Sequence, residues 1–109
     1  MAELDDSDPA ELNVAIDRDG AGGPIVHLNG ELDLSTVGTL ETALAPLLLE
    51  PPDRLSFDVS GLQFIDSSGL AVLVRCSVRV PAIVLLKPST VVRRVIDAAG
   101  LADVLPMDT

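Results

Sequence analysis

From Leu55 to Ser60 apolar and polar side chains alternate without a break, Leu55, Phe57 and Val59 against Ser56, Asp58 and Ser60. A period of two belongs to a strand with unlike faces, so residues 54–59 are predicted as a strand that Ser60-Gly61 closes. Beyond it, Leu70, Leu73, Val74 and Ser77 recur at helical spacing, which places Asp66 or Ser67 at the N-cap of a helix. Upstream, residues 12–16 alternate about Asn13 and Ala15 and read as a first strand. Residues 25–28 read as a second, with 19–23 a flexible connection between them and a hairpin the natural pairing. Gly30-Glu31-Leu32-Asp33 is expected to break the second strand.

Ser35 then reads as the N-cap of a helix whose stripe is Val37, Leu40, Ala43, Leu44, Leu47 and Leu48. Pro46 removes an amide and clashes with the preceding turn, so this helix is predicted to end or kink near 43–45. Ala82, Ile83, Val84, Leu85 and Leu86 form an unbroken apolar run, expected to be a central strand covered on both faces. Pro88-Ser89-Thr90 opens a third helix with Val92, Val95, Ile96 and Ala99 inward and Gly100 as its stop, and residues 103–105 could add a short strand. The order β-β-α-β-α-β-α-β is that of an α/β domain with a mixed sheet and helices packed against it. At 109 residues a single domain is expected over 11–109, preceded at 1–10 by a disordered acidic tail.

Charge and composition narrow the function. Seventeen acidic against seven basic side chains give a net charge of −10, which repels nucleic-acid phosphates and anionic lipid. Phe57 and Phe64 are the only aromatics, so no stacking platform for bases is built in. No run approaches the roughly 18 apolar residues of a membrane span, and a single cysteine, Cys76, allows no disulfide framework. A reducing, cytoplasmic setting is expected, with Cys76 a packing residue. The tail carboxylates Glu3, Asp5, Asp6, Asp8 and Glu11 lack the fixed geometry a metal needs, and no cofactor is expected. The only histidine, His27, would have to serve any serine nucleophile. It is predicted on the outer strand face, and no Gly-x-Ser-x-Gly surrounds Ser67 or Ser68.

The chemistry therefore concentrates at Asp66, Ser67, Ser68, Gly69 and Leu70, where two hydroxyls meet the amides and positive dipole end of a helix. The same pattern is also that of ordinary capping. Gly30-Glu31-Leu32-Asp33, Phe64-Ile65-Asp66-Ser67-Ser68-Gly69-Leu70 and Ala98-Ala99-Gly100-Leu101 together resemble a STAS domain of the anti-sigma factor antagonist family, over about residues 12–105. The resemblance implies a non-enzymatic partner switch. The unmodified protein would bind an anti-sigma factor that is also a serine kinase and so release a sigma factor. Phosphorylation of Ser67 would end the binding, and a PP2C-like phosphatase would restore it. Asp33, Asp66, Ser67, Ser68, Gly69 and Leu70 would form the contact surface. The segment from Leu70 to Pro88 is shorter than is usual in the family, and the chain stops soon after Leu105, where many relatives add a final helix. The alternative is a STAS subunit of a lipid-transport or scaffold complex, docking without a phosphate switch.

Overall fold

The computed structural model describes residues 11–18 and 22–108. Along them run β1 (Leu12–Asp17), β2 (Ile25–Leu32), α1 (Val37–Leu49), β3 (Arg54–Ile65), α2 (Ser67–Arg79), β4 (Ala82–Leu86), α3 (Thr90–Ala98) and β5 (Met107–Asp108). The strands make one five-stranded sheet in the order β1-β2-β3-β4-β5. β1 and β2 are antiparallel, the expected hairpin, and β2, β3, β4 and β5 run parallel. This is the α/β domain with a mixed sheet that the sequence pattern implies. The acidic segment 1–10 lies outside the described residues, as does part of the 19–23 connection. No helix among the described residues is long and apolar enough to cross a membrane.

The alternation in β3 sets the layers. Val26, Phe57 and Leu85 lie in register on neighbouring strands and are fully buried, while the next row across, Ile25, Ser56 and Val84, belongs to the other face. α1 contributes Leu40, Leu44 and Leu47 to the core and α2 contributes Leu70, Val72, Leu73 and Cys76. Val92 and Ile96 of α3 complete it.

Several local expectations are corrected. β3 does not close at Ser60-Gly61 and β2 does not break at Gly30, because each strand continues on the other's hydrogen bonds to Leu32 and Ile65. The price of that continuation is two register shifts, at His27/Asn29 and Gly30/Glu31, the second using the positive φ of 114° at Gly30. α1 runs through Pro46 to Leu49. A proline inside a helix costs about 3 kcal/mol, but Thr42, whose carbonyl loses its donor, and Pro46 both face solvent, where water satisfies the carbonyl. Burying Leu44 and Leu47 around the proline returns about 1.5–3 kcal/mol each. The N-cap of α1 is Thr36, not Ser35. β3, not β4, is the central strand. β4 is covered chiefly on the Ile83 and Leu85 side, with Ala82 exposed and Val84 and Leu86 half-buried. The last strand is Met107–Asp108, since 103–105 form a turn that delivers Leu105 to the core. Ala99, assigned to the α3 stripe, is exposed.

Candidate functional site

Leu32 and Ile65 are register partners, so the loop into α1 and the loop into α2 leave the sheet side by side, at the edge formed by the C-terminal ends of the parallel strands. β3 ends in Ile65, which is buried, and Asp66 adopts extended backbone (φ −118°, ψ −173°) suited to an N-cap. Its amide donates to the Leu32 carbonyl at 3.2 Å, its Oδ1 accepts from the Gly69 amide at 3.1 Å, and its Oδ2 accepts from the Leu34 amide at 3.3 Å. One carboxylate thus caps α2 and ties it to the neighbouring loop.

Ser67, the first residue of α2, is exposed, whereas Ser68 is half-buried and Gly69 and Leu70 are buried. Glycine is sterically required at position 69. A Cβ there would stand 2.7 Å from Leu32 Cγ and 2.8 Å from the Leu32 carbonyl oxygen. Ser67 also borders a shallow depression shared with Leu70, Ala71, Val74, Arg75, Ala99 and Leu101.

The adjoining loop is built around Asp33 and Thr36. Asp33 Oδ1 accepts from the Ser35 hydroxyl at 2.7 Å and the Ser35 amide at 3.0 Å. The Ser35 hydroxyl is the largest influence on the Asp33 carboxyl; desolvation opposes it, and the Ser35 amide and Thr36 add to it, so the carboxyl is held below its ordinary range. Thr36 is buried. Its hydroxyl donates to the Glu31 carbonyl at 2.8 Å and accepts from the Asp33 amide at 3.0 Å. Asp33 therefore shapes its own loop, and the link from that loop to α2 runs through Leu34 and Asp66.

All six residues singled out in the sequence sit at this edge: Asp33 in one loop, and Asp66, Ser67, Ser68, Gly69 and Leu70 in the other and the helix start. Sequence reasoning missed two apolar neighbours. Leu34 is 75% exposed and Phe64 45% exposed, on either side of Asp66 in the bonded loop and at the end of β3. Thr36 was missed as well. Its signal was the spacing of Asp33, Ser35 and Thr36, short polar side chains able to bond their own backbone.

His27 is not at this edge. Its Nδ1 lies 2.9 Å from Asp58 Oδ2, and Ile65 stands seven positions beyond Asp58 along β3, roughly 23 Å of strand. Desolvation raises the Asp58 pKa, but hydrogen bonds from the Ser60 amide and hydroxyl and from His27 outweigh it and leave the carboxyl below its ordinary range. The pair lies on the outer sheet face, half-exposed, as the alternation predicts. Cys76 is buried, and burial pushes its thiol up, against the partial opposition of Arg75 and Arg79. Among the described residues no cluster of three or more His, Cys, Asp or Glu side chains could hold a metal ion.

Comparison with known proteins places this geometry. The model of the STAS domain family matches residues 15–109. The anti-sigma-F factor antagonist RsfB of Mycobacterium tuberculosis is 31% identical over 98 residues, covering 87% of this chain and 80% of RsfB. The crystal structure of an anti-sigma factor antagonist from Mycobacterium paratuberculosis superposes with a TM-score of 0.83 at 26% identity, covering 93% of this chain and 88% of the other. SpoIIAA, an anti-sigma factor antagonist solved in its unphosphorylated form, shares the fold at a TM-score of 0.74 and 22% identity, covering 89% of each chain. The sheet order, the paired loops at its edge and these relationships lead to one assignment: the chain belongs to the STAS domain family of anti-sigma factor antagonists.

Proposed function

We propose that this protein is a cytoplasmic anti-sigma factor antagonist that works as a partner switch, with Ser67 as the switch residue. Unmodified, it binds an anti-sigma factor that is also a serine kinase, and a sigma factor is released. Phosphorylation of Ser67 ends the binding, and a PP2C-like phosphatase reverses it. In this reading the domain performs no catalysis of its own.

The observation that carries the reading is the exposure of Ser67 at the first position of α2, beside an Asp66 carboxylate that fixes both the helix start and the adjoining loop. A kinase needs a hydroxyl it can reach, and Ser67 offers one on a rigid mount. Ser68 is half-buried one residue on. The helix amides and dipole would tolerate the added phosphate, by about 0.3–1 kcal/mol, so the fold should survive the modification. Binding is another matter. Exposed Leu34 and Phe64 give the partner an apolar footing, while Asp33 and Asp66 leave the surface acidic. A further charge of about −1.5 to −2 on Ser67 would then penalise a partner packed closely against the unmodified hydroxyl.

The test is co-purification from the native cell, incubation of the captured anti-sigma factor with ATP and the protein, and mapping of the phosphate by peptide mass spectrometry. One phosphate on Ser67 is the expected result. Phosphate on Ser68 alone, or capture of a membrane transporter complex in place of an anti-sigma factor, would refute the reading.

A further inference from the structure

On the far side of α2 from Ser67 a furrow runs between α1 and α2. Its floor is Leu44, Val72 and Cys76, its walls Ala45 and Leu48, and at its open end stand Leu49, 83% exposed, and Val78, 81% exposed. The volume is about 570 Å³, within the roughly 300–1,000 Å³ of small-molecule sites. The lining is aliphatic apart from Cys76 and the charged Glu41, Arg75 and Arg79.

These charges are unusual for this molecule. The chain carries seventeen acidic and seven basic side chains, yet the furrow is bordered by two guanidiniums against one carboxylate. The Glu41 carboxylate accepts from Arg75 Nη2 at 3.0 Å in an exposed pair, and Arg79 Nη2 donates to the Leu48 carbonyl at 2.8 Å, where α1 ends. A guanidinium has five N–H donors in a fork that matches a carboxylate, so each arginine keeps donors for a ligand.

We infer that the α1–α2 furrow binds a long-chain carboxylate, with its methylene chain along Leu44, Leu48 and Val72 and its head group at Arg75 and Arg79. The two guanidiniums at the rim match a carboxylate head group, and the apolar floor matches a methylene chain. The absence of aromatic side chains from the lining disfavours planar ligands that depend on stacking. A free carboxylate offers the buried Cys76 thiol no leaving group, so binding is non-covalent. Arg75 also lines the depression beside Ser67, but the inference rests on the furrow and does not depend on the proposed switch.

The test uses the full chain with three probes of equal length below their micelle concentrations: dodecanoate, dodecanol and dodecyltrimethylammonium. Affinities are read by calorimetry and the site by backbone amide shifts. Dodecanoate should saturate at one per chain, with shifts confined to residues 41–49 and 72–79. Dodecanol should bind at least tenfold more weakly, and the cationic probe more weakly still. Arg75→Gln with Arg79→Gln should erase the preference for carboxylate over alcohol, and Ala45→Phe, filling the furrow, should abolish binding of both. Thermal melts confirm that each variant folds. Equal affinity for the three head groups, unsaturable uptake, or shifts centred elsewhere would overturn the inference. So would a ligand-free dimer, seen by sedimentation, that covers the same residues and is not displaced by dodecanoate.

Discussion

The starts of α1 and α2 lie side by side at one edge of the sheet, and they are fastened in different ways. At α2 the cap is a side chain: Asp66 accepts from Gly69 and also from Leu34 of the neighbouring loop. At α1 the cap residue, Thr36, makes no side-chain bond to the helix. Its hydroxyl instead joins Glu31 and Asp33 within the loop that precedes it. The glycines repeat the contrast. Gly69 is jammed against Leu32, whereas nothing lies within 4 Å of a Cβ at Gly38. One helix start is thus a fixed mount for an exposed serine, and the other is the end of a self-bonded loop. A surface meant to be recognised with one hydroxyl present or modified needs the first kind, because a frayed mount would blur the difference between the two states.

The largest effect should come from closing the steric gap. Gly69→Ala pushes a Cβ against both the side chain and the carbonyl of Leu32, and overpacking of this kind costs about 1–3 kcal/mol. Gly38→Ala should do the reverse, adding stability of up to about 1 kcal/mol through helix propensity. Urea denaturation of the pair checks both, and equal effects would erase the contrast. Next, Asp66→Ala should cost about 0.5–2 kcal/mol as a lost cap. Because the same carboxylate holds the Leu34 amide, hydrogen exchange at Leu34 should accelerate along with that at Gly69. Unchanged exchange at Leu34 would show that the two loops are not tied.

The smallest effect is on acid stability. The Asp33 and Asp58 carboxyls are both held below their ordinary value of 3.8 in the folded state. Their contribution is therefore fully present above that value and is lost as the pH falls below it through the folded-state pKa. Melting temperature should accordingly be insensitive to these groups from neutrality down to about pH 4, then decline, and Asp33→Asn or Asp58→Asn should flatten the decline. An unchanged acid limb in both variants would contradict the assigned hydrogen bonds.

What the sequence disclosed follows the same division. Alternation in Leu55 to Val59 and helical spacing from Leu70 depend on which face is buried, a local property written directly in residue type. The Asp-Ser-Ser-Gly block marked the capped start of α2 for the same reason. The ends of β2 and β3 could not be read, because Gly30 and Gly61 look like strand breaks until a parallel partner supplies hydrogen bonds across the irregular register. Pro46 misled in a similar way. Its local cost is real, but it is outweighed by the burial of Leu44 and Leu47 and by the solvent facing Thr42. At the site itself, Asp66 was legible as a cap, but its second bond, to Leu34, depends on a residue 32 positions away in the chain. The exposure of Leu34 and Phe64 was equally hidden, since apolar residues give no local sign of pointing outward.

The central claim is that Ser67 sits on a mount rigid enough for its charge state alone to decide binding. Calorimetric titration of Ser67→Ala and Ser67→Asp against the co-purified anti-sigma factor, with a circular dichroism melt of each, tests it most directly. Both variants should fold like the parent, Ser67→Ala should bind, and Ser67→Asp should bind at least tenfold more weakly, about 1.4 kcal/mol. Equal affinities of two well-folded variants would contradict the claim.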